Sequence, residues 1–252
     1  MSAISVLLVS QPVGLLAALT FALAFGGDGL GAREILFGLG AGAAVVLALA
    51  AFYRAMALGS VSAVAMIGAL GVLVPFTAGL VRGEDPGAVQ MIGAVAAIGG
   101  VVLVSREADP EWRAASRAAS GLAALAALGF GVFFLAIDAS ASESPAWTIV
   151  AARVGGCTLL LAIALAVPPS LRIRRRLAPA LVVIGVCDVL ANSLFALATT
   201  RGLLSLVSVA GSLYSAVTVL LARAFLGERL RPVQRAGLAL AIAGVMMIAS
   251  GV

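Results

Sequence analysis

The chain contains no histidine, and all sixteen of its Lys and Arg positions are arginine. Without imidazole, a Ser-His-Asp triad, a His-Glu-x-x-His zinc site and haem ligation by His are excluded. Without lysine, the run GLGAGAA (Gly38, Gly40, Gly42) is no phosphate-binding loop, whose chemistry needs that cation beside the glycines. Two cysteines, Cys157 and Cys187, lie in separate apolar stretches and read as small packing residues rather than a disulfide or a metal pair. Paired acids occur only as Glu84-Asp85 in a short loop, so an enzyme finds little support. Charge is scarce altogether. Charged residues make up 11% of the chain, against about 25% in an average soluble domain. They are too few to cover a water-facing surface on 252 residues.

What is present is apolar: 63% of the residues are hydrophobic. A hydrocarbon layer about 30 Å thick calls for roughly 20 apolar residues per helix, and most of the sequence divides into runs of that length. The runs are apolar on every face, whereas a membrane β-barrel would alternate in segments of about 10 residues. The expected fold is therefore an all-α, polytopic membrane helix bundle. Nine spans are predicted, at 3–25, 34–57, 59–81, 87–105, 118–138, 145–167, 177–199, 202–226 and 232–251. The first run starts almost at Met1 without a basic leader, so it is read as a span and not as a cleavable signal.

The arginines test that count. Twelve of them, including Arg54, Arg106, Arg113 and the cluster Arg172, Arg174, Arg175 and Arg176, fall in loops after the even-numbered spans. The alternate loops hold Arg33, Arg82 and Arg201, and Arg153 lies within a span. A miscounted helix would scramble this alternation. The formal net charge of +5 thus reads as an orientation signal rather than a nucleic-acid surface. It places Met1 inside and Val252 outside a cell inner membrane.

Self-comparison reveals an internal repeat. A shift of 144 residues lays Gly83-Glu84 on Gly227-Glu228, Val89-Gln90 on Val233-Gln234, Gly93 on Gly237 and Gly100-Val101 on Gly244-Val245. Nine identities in nineteen ungapped positions exceed what shared apolar composition provides, because Gly, Glu and Gln carry the match. A shift near 142 lays Gln11 on Arg153 and Gly14 on Gly156. Residues 1–105 then form a first repeat, 106–117 a linker, and 118–252 a second repeat whose opening helix, 118–138, has no counterpart after Met1. Five helices is an odd number, so intact copies insert with opposite orientations. That is the inverted-repeat plan of many secondary transporters, which place the substrate near the midplane between repeats.

The repeat endings RGEDPGAVQMIGAVAAIGGVVLVS and LGERLRPVQRAGLALAIAGVMMIAS, with SLVSVAGSLYSAVTVLLARAFLGERL before the second, resemble the drug/metabolite transporter superfamily, specifically its EamA-type members. The resemblance covers nearly the whole chain and implies ten helices in two five-helix repeats, with the first helix lacking here. Ser215 stands where many relatives have proline, and relatives often have both ends cytoplasmic, unlike the arginine-based orientation. The resemblance implies export or exchange of small metabolites such as amino acids by alternating access. No nucleotide-binding motif accompanies it, so a gradient or exchange would drive transport and no cofactor is expected. The alternative is a non-transporting or degenerate membrane scaffold of the same fold, motivated by the lacking helix, which a second copy of the chain could replace. Expected partners are a small-molecule substrate and membrane lipid.

Arg153 lies well inside the sixth span and Asp188 mid-way along the seventh. Each costs roughly 2.5–3.5 kcal/mol at a helix centre on insertion scales, so such groups pair or line a polar cavity. Arg153 is a candidate ligand for an anionic group such as a carboxylate, with Asp188 as its modulator; a purely structural ion pair is the equal alternative. Gln11 would face the same cavity from the other repeat, and Asn192 shares a helical face with Asp188. Tyr214 needs a partner for its phenol and joins the candidate site. Ser208, Ser212 and Ser215 favour helix packing. Glu84 and Glu228 read as caps of the following helix or partners of a nearby Arg. Pro12 and Pro75 interrupt apolar helices, and Gly38, Gly40 and Gly42 suit close helix approach.

Overall fold

The computed structural model describes residues 3–26, 29–58, 64, 67–104, 117–141, 144–166, 178–213, 217 and 232–250. Among these residues the chain is helical, with no strand. The helices are α1 (Ala3–Phe25), α2 (Ala32–Leu58), α3 (Leu73–Val81, entered through a 3-10 turn, Leu70–Val72), α4 (Ala88–Val104), α5 (Arg117–Ala141), α6 (Pro145–Ala166), α7 (Ala178–Thr199), α8 (Leu204–Gly211) and α9 (Pro232–Ser250). Each falls on one predicted span. Six are long and apolar enough to cross a membrane, over Val6–Phe25, Ala32–Leu58, Arg117–Ala141, Pro145–Ala166, Pro179–Thr199 and Pro232–Ser250. The protein is a multi-pass membrane protein.

Its packing is the reverse of a soluble core. Alanines such as Ala41, Ala55, Ala94, Ala97, Ala126, Ala196 and Ala241 are buried, while Leu23, Leu36, Leu165 and Val81 point outward. In water, exposing such side chains in bulk would be unfavourable. In lipid they lose nothing, and close backbone approach through small residues becomes the main attraction between helices.

Helices contact one another in two compact units, Met1–Ala50 with Val132–Arg201, and Ala51–Gly131 with Gly202–Val252. Each unit takes helices from before and after the expected 106–117 linker, which lies outside the described residues except for Arg117.

In the second unit α4 packs on α9. A Cβ at Gly93 would stand 2.6 Å from the carbonyl oxygen of Gly244, and one at Gly100 would stand 2.6 Å from that of Gly237. These are the glycines of the 144-residue register, but the contacts exchange them: 93 meets 244 and 100 meets 237. Equivalent helices that meet in this crossed order run antiparallel and are related by a two-fold axis across them, the signature of an inverted repeat. The matched glutamine caps its own helix, since Gln90 Oε1 accepts the Gly87 N–H at 2.9 Å, the glutamine half of a capping box.

Glu84 is also a cap, though of a helix far along the chain rather than the following α4. A turn with Gly83 at φ +92, a conformation that suits glycine, closes α3. The Glu84 carboxylate then accepts the N–H of Leu204 through Oε1 at 2.8 Å and of Ser205 through Oε2 at 2.9 Å. Leu203 offers no side-chain cap to α8, so Glu84 satisfies those donors and meets the positive end of the helix dipole. Pro75 lies just past the 3-10 turn, inside the apolar helix Ile67–Val81. Pro12 likewise sits within the continuous helix α1. Glu228 lies outside the described residues.

In the first unit α1 packs on α6 and α7. Gln11 lies beside Arg153, and Ser144 Oγ donates to the Gly26 carbonyl at 2.8 Å. Rising numbers on α1 meet falling numbers on α6, so these repeat-equivalent helices are antiparallel too. Gly38 and Gly42 of α2 approach Ala151, Ala152 and Gly156 of α6 too closely for a side chain, while Gly40 faces open space.

Candidate functional site

Arg153 is fixed within α6 about two turns from its start, at roughly 3.6 residues per turn, and is 5% exposed. A guanidinium there cannot be left unpaired, and the neighbouring helices supply its partners. Nη2 forms an ion pair with Asp188 Oδ2 of α7 at 2.6 Å. Nη1 donates to Gln11 Oε1 of α1 at 2.8 Å. On the far side of the carboxylate, Asn192 Nδ2 donates to Asp188 Oδ1 at 3.1 Å, one helical turn along α7. The result is a chain of four polar side chains, Gln11, Arg153, Asp188 and Asn192, laid across three helices.

Glycines make the arrangement possible. A Cβ at Gly14 would lie 3.4 Å from Arg153 Nη1, and one at Gly185 would lie 2.7 Å from the Ser10 carbonyl oxygen. With hydrogens at these positions, α1 and α7 close around the guanidinium.

The two charges differ in access. Arg153 is enclosed, whereas the Asp188 side chain is 46% exposed. Between the polar groups lies a recess walled by Val45, Phe133, Ile149 and Ala152, with a volume of about 10 Å³. That is room for about one water, which needs roughly 10–15 Å³ on this measure. A larger, apolar cleft of about 760 Å³ lies between α1, the start of α6 and α7, lined by Phe21, Phe25, Ala146, Leu190 and Leu194 with Thr20 and Ser193. Its α7 residues share the face opposite Asp188.

Four of the five candidate residues thus come together. Tyr214, like Ser215, lies outside the described residues. Two serines of this segment bond back to the local backbone: Ser208 Oγ donates to the Ser205 carbonyl at 2.8 Å and Ser212 Oγ, at the end of α8, to that of Val209 at 2.7 Å. The sequence reading did not single out the apolar wall. One signal for it existed, since Val45 stands 143 residues before Asp188, almost in the register that joins Gln11 to Arg153. The recess is therefore lined by equivalent positions of both repeats, and both charges come from the second.

The model of the EamA-like transporter family matches residues 118–250. No curated protein sequence matches the chain. A solved crystal structure, described simply as that of a protein, superposes with a TM-score of 0.81 over 99% of this chain and 89% of its own, at 17% identity. Its likeness is one of fold.

Proposed function

Because the chain belongs to the EamA-like transporter family, we propose that it is a secondary carrier moving small metabolites such as amino acids across an inner membrane by alternating access, with Arg153 holding a carboxylate. The observation that supports this reading is the chain Gln11–Arg153–Asp188–Asn192 deep within the helices. Two charged residues in spans carry an insertion cost of roughly 2.5–3.5 kcal/mol each. A site that recognises a charged solute gives that cost a purpose. Arg153 presents a planar donor fork suited to carboxylates, and Asp188 is the more exposed partner of the pair. The inverted relation of the repeats suits alternating access around such a fixed site.

The test is counterflow of labelled amino acids and related carboxylates in vesicles holding the purified chain. Arg153→Ala is expected to abolish accumulation, and Asp188→Asn to change the apparent affinity. Full transport with wild-type affinity in both variants would remove these residues from the site.

A further inference from the structure

Helices α1 and α7 meet at a pair of glycines and part beyond it. A Cβ at Gly185 would stand 2.7 Å from the Ser10 carbonyl oxygen, and one at Gly14 would stand 3.3 Å from Val189 Cγ2. From that crossing toward Phe25 and Leu197 the helices leave a wedge between them, the apolar cleft of about 760 Å³. On α1, Leu16 and Leu23 are exposed, as are Val183 and Leu194 on α7. The wedge therefore opens on the acyl chains of the bilayer rather than on water.

Its wall is hydrocarbon even where its residues are polar. The Thr20 hydroxyl donates to the Leu16 carbonyl at 2.8 Å, and Ser144 Oγ donates to that of Gly26 at 2.8 Å. Both are turned back onto the backbone, so the cleft offers a polar solute little to replace its water. Left empty, it would forfeit dispersion contacts along both helices.

Depth separates the occupants that could fill it. From Ala17 to Phe25 the α1 wall rises about 12 Å, and from Val186 to Leu197 the α7 wall about 16 Å, at about 1.5 Å per residue. A hydrocarbon core is about 30 Å thick, so the cleft covers about half of it. A spanning helix of a second copy needs the full thickness. An acyl chain of one leaflet needs half.

We propose that this cleft binds an acyl chain of a membrane lipid, drawn from the leaflet on the side of Gly26 and Ser144 and wedged between α1 and α7. The chain enters beside the helix ends at Gly26 and Ser144 and runs inward to Val189. Val189 lies against Gly14, where a Cβ would stand 3.4 Å from Arg153 Nη1. The lipid thus props apart the two helices that carry Gln11 and Asp188. Nothing in this depends on what Arg153 holds; it requires only that the protein lie in a membrane.

The test uses the purified chain in vesicles of phosphatidylethanolamine and phosphatidylglycerol that carry a diazirine midway along one acyl chain. After a wash into detergent, irradiation and peptide mapping should find one lipid per chain, attached within residues 17–26 and 186–197. Ser193→Phe, which fills the cleft, should lower the retained lipid at least tenfold. Leu16→Phe, on the outward face beside it, should leave retention unchanged. Loss of all lipid in the wash, or attachment spread equally over the outward-facing Leu36 and Leu165, would overturn the site. So would full retention in Ser193→Phe, or a stable lipid-free dimer, which would seat a second copy there instead. The wild-type attachment sites settle the matter by themselves if Ser193→Phe fails to fold.

Discussion

Arg153 depends on two neighbours through separate nitrogens, and their surroundings predict different consequences for losing each. Gln11 is 4% exposed and accepts from Nη1. Replacing it by leucine strands a buried charged donor, expected to cost about 1–3 kcal/mol. Asn192 touches Asp188, which is exposed enough to find another partner. Unfolding midpoints in detergent should therefore fall clearly for Gln11→Leu and little for Asn192→Leu; the opposite order would show that Gln11 is not the anchor. Arg153 and Asp188 were conspicuous in the sequence as charges inside apolar runs, and Asn192 followed from its one-turn step. The bond from Arg153 to Gln11 was not legible. A repeat register gives equivalence, and equivalence becomes contact only for residues that lie at the two-fold axis.

Helices in lipid are joined through their small faces, so neighbouring glycines on one helix can differ sharply. A Cβ at Gly100 would press on the backbone of Gly237 and Ala241, whereas one at Gly99 would reach no atom closer than Leu240 Cδ2 at 4.0 Å. Gly100→Ala should part α4 from α9 and lower the unfolding midpoint. Gly99→Ala should be neutral, or gain up to about 1 kcal/mol of helix propensity. Equal effects would mean that the crossed glycine contact does not hold these helices together. The repeat had singled out Gly93, Gly100, Glu84 and Gln90, and each proves to sit at a contact or cap. For Glu84 the capped N–H groups lie 120 and 121 residues away, and a reading based on local turns sees only the adjacent helix.

At the scale of the molecule, the placement of the helices was legible because the bilayer imposes a length on every span: each described helix lies on a predicted span, and six of them are long and apolar enough to cross a membrane. The compact units were not, because sequence order suggested two successive halves while the antiparallel helix pairs draw each unit from both. The arginine asymmetry makes a further prediction for the whole chain. In a variant lacking Cys157 and Cys187, a cysteine introduced at Ala108 should react with an impermeant thiol reagent from the cytoplasmic side. One introduced at Arg201 should react from the other side. Labelling of both from one side would contradict the nine-span topology.

The central claim is that Arg153 receives the carboxylate of a transported solute. The direct measurement is the shift in unfolding midpoint of the purified chain on adding a solute active in counterflow, compared with its methyl ester, for the wild type and Arg153→Gln. The acid should raise the wild-type midpoint, the ester should not, and neither should act on Arg153→Gln. An equal shift from the ester, or an undiminished shift in the variant, would contradict it.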